Sequence, residues 1–158
     1  MRQIDLIIVH CSATRPSLDV RAVDLDRWHR ARGWRGLGYH YVITRGGLVE
    51  PGRPEFQIGA HTQGFNSRSI GVCLVGGVAE DGRTVEANYT TAQYQALHAL
   101  LGDLRARYPQ TRICGHRDLS PDLDGDGEVE RHEWVKGCPS FDVAAWCAEF
   151  GIEHGGRK

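Results

Sequence analysis

The sequence predicts an α/β fold, a central mixed β-sheet flanked by helices. Two observations predict it. Short apolar runs alternate along the chain with amphipathic stretches of helical period, the pattern of strands that hand over to covering helices. One pair of strands is separated by Gly46-Gly47, a two-residue turn suited to an antiparallel hairpin, so the sheet is mixed rather than purely parallel.

The elements follow in chain order. Ile4–Val9 reads as a buried first strand, interrupted by Asp5 and ended by His10. A helix is expected over Ala22–Arg32, where Leu25, Trp28, His29 and Arg32 share one face and Gly33 closes the last turn. Tyr39–Arg45 alternates and turns through the glycine pair into Leu48–Glu50. Pro51–Ser69, rich in Gly, His and polar residues, reads as a long loop, and long ordered loops often carry function. Ile70–Val75 is apolar on both faces, as a central strand is. The clearest helix is Thr91–Tyr108, with Tyr94, Leu97, Leu101, Leu104 and Tyr108 as its stripe. Thr90-x-x-Gln93 supplies a capping box, and Pro109 prevents continuation. Arg112–Cys114 is a short strand and Phe141–Phe150 a final helix. No repeat or long linker interrupts the chain, so a single domain is expected over residues 1–158, with an insertion at 119–135.

A chain of 158 residues is long enough for one continuous core, and 41% apolar with 25% charged residues is a globular composition. The formal net charge of −1 offers no basic stripe for a nucleic-acid partner. No apolar run is long enough to cross a bilayer, so no membrane partner is expected, and a monomer is. The N-terminal stretch MRQIDLIIVHCSAT lacks the separate apolar region and cleavage site of a secretory signal. Synthesis in the cytoplasm without a signal peptide is therefore expected.

Five cysteines (Cys11, Cys73, Cys114, Cys138, Cys147) are an odd number for a disulfide framework, and a cytosolic origin favours free thiols. Cys73 and Cys147 fall inside apolar strand and helix patterns and read as core. Cys11 reads as a small buried hydrophobe. Cys138 lies in a loop between a glycine and a proline, where chemistry is easier to argue.

His10, His116 and Cys138 all fall where strands hand over to loops, so their side chains can converge although they are far apart in sequence. Imidazole and thiolate are zinc ligands, and a catalytic site leaves the fourth position to water, whose pKa the metal lowers to about 7. Position and residue type leave the alternative open. Eight histidines are present, and most histidines are surface or hydrogen-bonded core residues.

The segments VHCSAT (9–14), RGWRGLGYHYVI (32–43), GAHTQGFNSRSIGVCLVGG (59–77), GHRD (115–118) and KGCPSFD (136–142) resemble type-2 N-acetylmuramoyl-L-alanine amidases. The likeness is greatest to the phage-lysozyme branch, with peptidoglycan-recognition proteins as more distant relatives, and it runs from about Ile4 to Phe150. It implies a mixed sheet flanked by helices, with zinc in a surface cleft at the strand ends and peptidoglycan as the partner. It further implies His10, His116 and Cys138 as zinc ligands, and Tyr39 and Lys136 as catalytic residues. Tyr39 would contact the zinc-bound water, and Lys136 would stabilise the oxyanion of the scissile amide. His61 lies where relatives line the substrate cleft, and a substrate-binding role is expected beside a loop-fixing alternative. His29 and His40 are given no chemistry.

Within the insertion, Asp122, Asp124, Asp126, Glu128 and Glu133 have the spacing of an EF-hand loop, with Gly127 at the turn position, so calcium is a second candidate metal. The context is incomplete: residues 115–121 do not read as an entering helix, while residues 131–136 allow an exiting one. Competing readings are a cytosolic amidase recycling anhydro-muropeptides, against which Cys138 weighs, and a non-catalytic peptidoglycan-binding protein. A cysteine hydrolase using Cys138 or Cys11 is a third.

Overall fold

The computed structural model describes residues 1–155. Five strands, β1 (Leu6–Cys11), β2 (Tyr41–Ile43), β3 (Val49–Pro51), β4 (Ser69–Leu74) and β5 (Arg112–Gly115), form one sheet in the order β3-β2-β4-β1-β5. β1 lies parallel to β4 and β5, β2 lies parallel to β4, and β3 returns antiparallel to β2 through the expected glycine turn. Three helices cover it: α1 (Ala22–Ala31), α2 (Thr91–Arg107) and α3 (Val143–Glu149). The mixed α/β architecture is the one the alternating pattern predicts.

Three features differ from expectation. β1 runs through His10 to Cys11, because β4 pairs alongside it as far as Leu74. Trp28, placed by period on the buried face of α1, is 40% exposed, whereas Leu25 and His29 are buried. α3 starts at Val143, capped by the Asp142 carboxylate on the Ala145 amide. Phe141 instead joins an edge-to-face cluster with Tyr89, Tyr94 and Trp146. Residues 76–88 also carry structure that the sequence did not signal, with lone bridges joining Thr14 to Gly77 and Val78 to Val85.

Strand periodicity divides the core between two faces. Ile7, Val9 and Cys11 of β1 point with Ile70, Val72 and Leu74 toward Leu97, Leu101 and Leu104 of α2, and toward Val143 and Cys147 of α3. Each fully buried leucine there contributes about 1.5–3 kcal/mol of apolar burial. On the opposite face Leu25 of α1 covers Val42 and Cys73. Leu6, Ile8 and Cys114 on that same face pack instead against Phe65 from the long loop and Leu119 from the turn after β5. α1 therefore shields the β2–β4 half of its face and leaves the C-terminal ends of β1 and β5 open as a cleft. His10 follows Leu6 and Ile8 in the same alternation, so it faces that cleft.

Candidate functional site

The three strand-end residues meet. His10, His116 and Cys138 each bring one ligand-type atom within 4.8 Å of the other two. His10 sits on β1 opposite Cys73 of β4, and His116 opens a 3-10 turn (His116–Leu119) directly after β5. Asp118 caps that turn by accepting the Gly115 amide, which fixes the direction in which His116 leaves the strand. Cys138 precedes a cis peptide bond to Pro139 in a turn closed by the Ser140 amide donating to the Gly137 carbonyl. Two contacts seat the thiol. The Cys11 amide donates to Cys138 Sγ at 3.0 Å, and the Arg117 amide donates to the Cys138 carbonyl at 2.9 Å. A Cβ at position 115 would lie 2.8 Å from Pro139 Cδ, so only glycine lets this turn approach β5.

The donor set suits a borderline-soft cation such as zinc. Burial, then the nearby His61, His116 and Lys136, holds His10 well below the ordinary histidine range; burial and Lys136 bring His116 down to about 4. Both imidazoles are thus neutral, the form that binds a metal. Burial and the adjacent Cys11 thiol push Cys138 well up, so its thiolate needs a cation beside it, which a metal provides.

Tyr39 stands beside this trio, its ring centroid 5.1 Å from that of His10. Burial, then the neighbouring thiols of Cys73, Cys138 and Cys11, raises its phenol well above the ordinary value, so it keeps its proton. Lys136 lines the cleft together with Trp34, His61, Phe65, His116 and Leu119, around a volume of about 810 Å³. A second depression of about 760 Å³ beyond α1 holds none of the expected site residues.

His61 is brought in too, lining the cleft and also meeting His10 directly. Its Nδ1 lies 2.9 Å from His10 Nε2. Burial, then His40 and His116, lowers it to about 3. Nothing in the local sequence signals this contact, because residues 51 positions apart meet only when the long loop folds over β4. His29 and His40 hold the backbone: their Nδ1 atoms accept the amides of Gly38 and Gly71. Cys11, Cys73 and Cys147 are buried, also as expected.

In the acidic insertion, Asp122, Asp124 and Glu133 bring carboxylate oxygens within 4.8 Å of one another, while Asp126 and Glu128 lie outside that group. Gly125 and Gly127 both take positive φ, and Asp122 accepts the amides of both. Glu133 is 3% exposed and accepts the amides of Leu123 and Glu130. The exiting helix allowed by the sequence is only a 3-10 turn, Arg131–Glu133. Sequence reasoning also missed how the insertion is fastened. The Arg117 guanidinium stacks 3.9 Å over the Trp134 ring, tying it to the residue that follows His116.

Comparison with known proteins fits this arrangement. Residues 1–133 match the N-acetylmuramoyl-L-alanine amidase family, a span that includes His10, Tyr39, His61 and His116 and stops short of Lys136 and Cys138. The endolysins of Enterobacteria phage T3 and Escherichia phage T7 are each 43% identical over 142 residues, covering 90% of this chain and 84% of theirs. Among solved structures, the endolysin N-acetylmuramoyl-L-alanine amidase LysCS from Clostridium intestinale URNW superposes with a TM-score of 0.73 at 25% identity. That match covers 96% of this chain and 86% of LysCS. Bumblebee PGRP-SA, at 21% identity and a TM-score of 0.70 over 95% of this chain and 83% of its own, shares the fold. By sequence and by fold the chain belongs to the N-acetylmuramoyl-L-alanine amidase family.

Proposed function

We propose that the chain is a zinc-dependent amidase that hydrolyses the bond between the lactyl group of N-acetylmuramic acid and the L-alanine of the peptidoglycan stem, and that it works as a phage or prophage endolysin or an autolysin. The convergence of His10, His116 and Cys138 within 4.8 Å, beside a cleft that His116 lines together with Lys136, carries the reading. These three residues would hold the ion. Zinc in such a site supplies a Lewis acid and a hydroxide at neutral pH. The protein's own groups do the rest. The Tyr39 hydroxyl, kept protonated by its surroundings, orients the attacking water. Lys136 Nζ stabilises the negative charge that develops on the carbonyl oxygen, an effect of about 2.7–4 kcal/mol for one well-placed donor. A cleft open along the strand ends admits a glycan strand from the side.

Digestion of purified peptidoglycan, with and without a zinc chelator and followed by mass spectrometry, tests this. Free stem peptides beginning with an L-alanine amine, lost on chelation and restored by zinc, are expected. Intact stems at full zinc occupancy would transfer the protein to the non-catalytic binding class. Activity that survives chelation but not thiol alkylation would point to a cysteine hydrolase. For the acidic insertion, calcium remains our proposal, supported by the grouping of Asp122, Asp124 and Glu133 at EF-hand spacing.

A further inference from the structure

We infer that His61 is a positioning residue for the metal centre: its Nδ1 accepts the Nε2 proton of His10 and so turns His10 Nδ1 toward the metal. The inference rests on the zinc reading and replaces the substrate contact expected for His61. An imidazole binds a metal through one unprotonated nitrogen and must then carry its proton on the other, so whatever accepts that proton sets both tautomer and ring direction. Two groups face His10 Nε2 here. His61 Nδ1 is at 2.9 Å, Thr62 Oγ1 is at 3.3 Å, and these two lie 3.1 Å from each other. The His10 and His61 rings meet edge-on at 88°, which aims one ring's edge at the other instead of stacking them.

The second imidazole is held as firmly as the first. With Nδ1 accepting, His61 carries its own proton on Nε2, which faces the buried Ser69 hydroxyl at 3.3 Å. The Asn66 side-chain oxygen accepts the amides of both His61 and Thr62 at 2.9 Å, pinning the backbone that presents them. Space for the ring is reserved on the sheet. A Cβ at Gly71 of β4 would lie 2.7 Å from the His61 ring, and one at Gly59 would lie 2.6 Å from it. The route from Ser69 through His61 to His10 assigns one consistent set of protons, and it ends at the metal-facing nitrogen.

Zinc affinity, measured by competition with a chromophoric chelator, tests this on the parent protein and on His61→Ala, His61→Asn and His61→Gln. Thermal stability of each metal-free form is measured in parallel. Asparagine places its Oδ1 near the position of His61 Nδ1, whereas glutamine places its polar atoms near Nε2. The expected result is one tightly bound zinc in the parent, a loss of about 10–100-fold in affinity for the alanine and glutamine variants, and recovery of most of it by asparagine. Metal-free stabilities of the asparagine and glutamine variants should be alike, which separates the hydrogen bond from space filling even where the alanine variant does not fold. Parent-like zinc affinity in the glutamine variant, with KM for peptidoglycan raised instead, would overturn the inference and restore a substrate contact. An asparagine variant as weak as the glutamine variant would also overturn it. A parent that binds no zinc would bring down the zinc reading itself.

Discussion

Gln93 offers a sharp test of how the helix over the core is tied to the sheet. It is completely buried and uses both ends of its amide. Nε2 donates to the carbonyls of Val75 at 2.8 Å, just past the end of β4, and of Ile43 at 3.2 Å, the last residue of β2. Oε1 accepts the Thr90 amide at 3.0 Å and Arg45 at 3.2 Å. Gln93→Leu keeps size and helix propensity but removes all four contacts. The Ile43 carbonyl still takes the Val75 amide, and Arg45 still reaches the Asn88 carbonyl, so neither is left bare. The buried Val75 carbonyl keeps a long contact from Arg45 at 3.5 Å but loses its short one, which costs about 1–3 kcal/mol, and losing half of the capping box costs about 1 kcal/mol more. The sum, about 2–4 kcal/mol, lowers Tm by roughly 5–15 °C in a domain of this size. Differential scanning calorimetry of the two proteins at one pH reads it. The helix lies across the sheet from the cleft, so kcat/KM of the folded variant should stay near the parent value. A Tm within about 1 °C of the parent would refute the account of Gln93 as a strand-end anchor.

Lys136→Ala should lower kcat/KM by about 10²–10³-fold while bound zinc, read by elemental analysis, is unchanged; unaltered turnover would remove Lys136 from the chemistry. Glu55 should give the fold an acid-sensitive tie. Burial works against its charge, but Arg107, Tyr108 and Tyr41 outweigh it and bring the carboxyl to about 2. Because the folded value lies below the ordinary 4.5, this stabilisation is complete above pH 4.5 and is lost as pH falls through about 2. With screening allowed for, its size is on the order of 1–2 kcal/mol, and Glu55→Gln should flatten the fall of Tm across that window; an unchanged slope would refute it. Calcium at 100 times its dissociation constant would add about 2.7 kcal/mol, roughly 5–10 °C in Tm, and should do so in the parent but not in Glu133→Gln. No shift in the parent at millimolar calcium would end the calcium proposal.

Much of the site was legible because its residues announce themselves locally. His10 and His116 stand at the ends of apolar runs, and Cys138 stands between a glycine and a proline. Strand alternation is enough to say that His10 shares a face with Leu6 and Ile8. The contact between His61 and His10 was not legible, since it joins a loop to a strand across 51 positions. Its trace in the sequence is Gly71, a gap in a buried strand, together with Gly59 in the loop. Glu55 and Arg107 were opaque for the same reason: each is an ordinary surface charge until the loop crosses toward α2.

Gln93 shows where the division falls. The spacing Thr90-x-x-Gln93 by itself determined a helix start, because a capping box is a bargain between residues three apart and needs no tertiary partner. The apolar runs likewise determined which segments become strands, and the stripe on α2 determined that it covers a sheet. Only the folded sheet decided that the free amide of the cap would reach the ends of β2 and β4. Only it decided that α1 would cover half of one face and leave the rest as a cleft. Local hydrogen bonds and periodicity are properties of neighbouring residues and can be read along a chain. The meeting of His10, His61, His116 and Cys138 depends on strand order and loop path, which arise only when distant segments compete to bury the same surface.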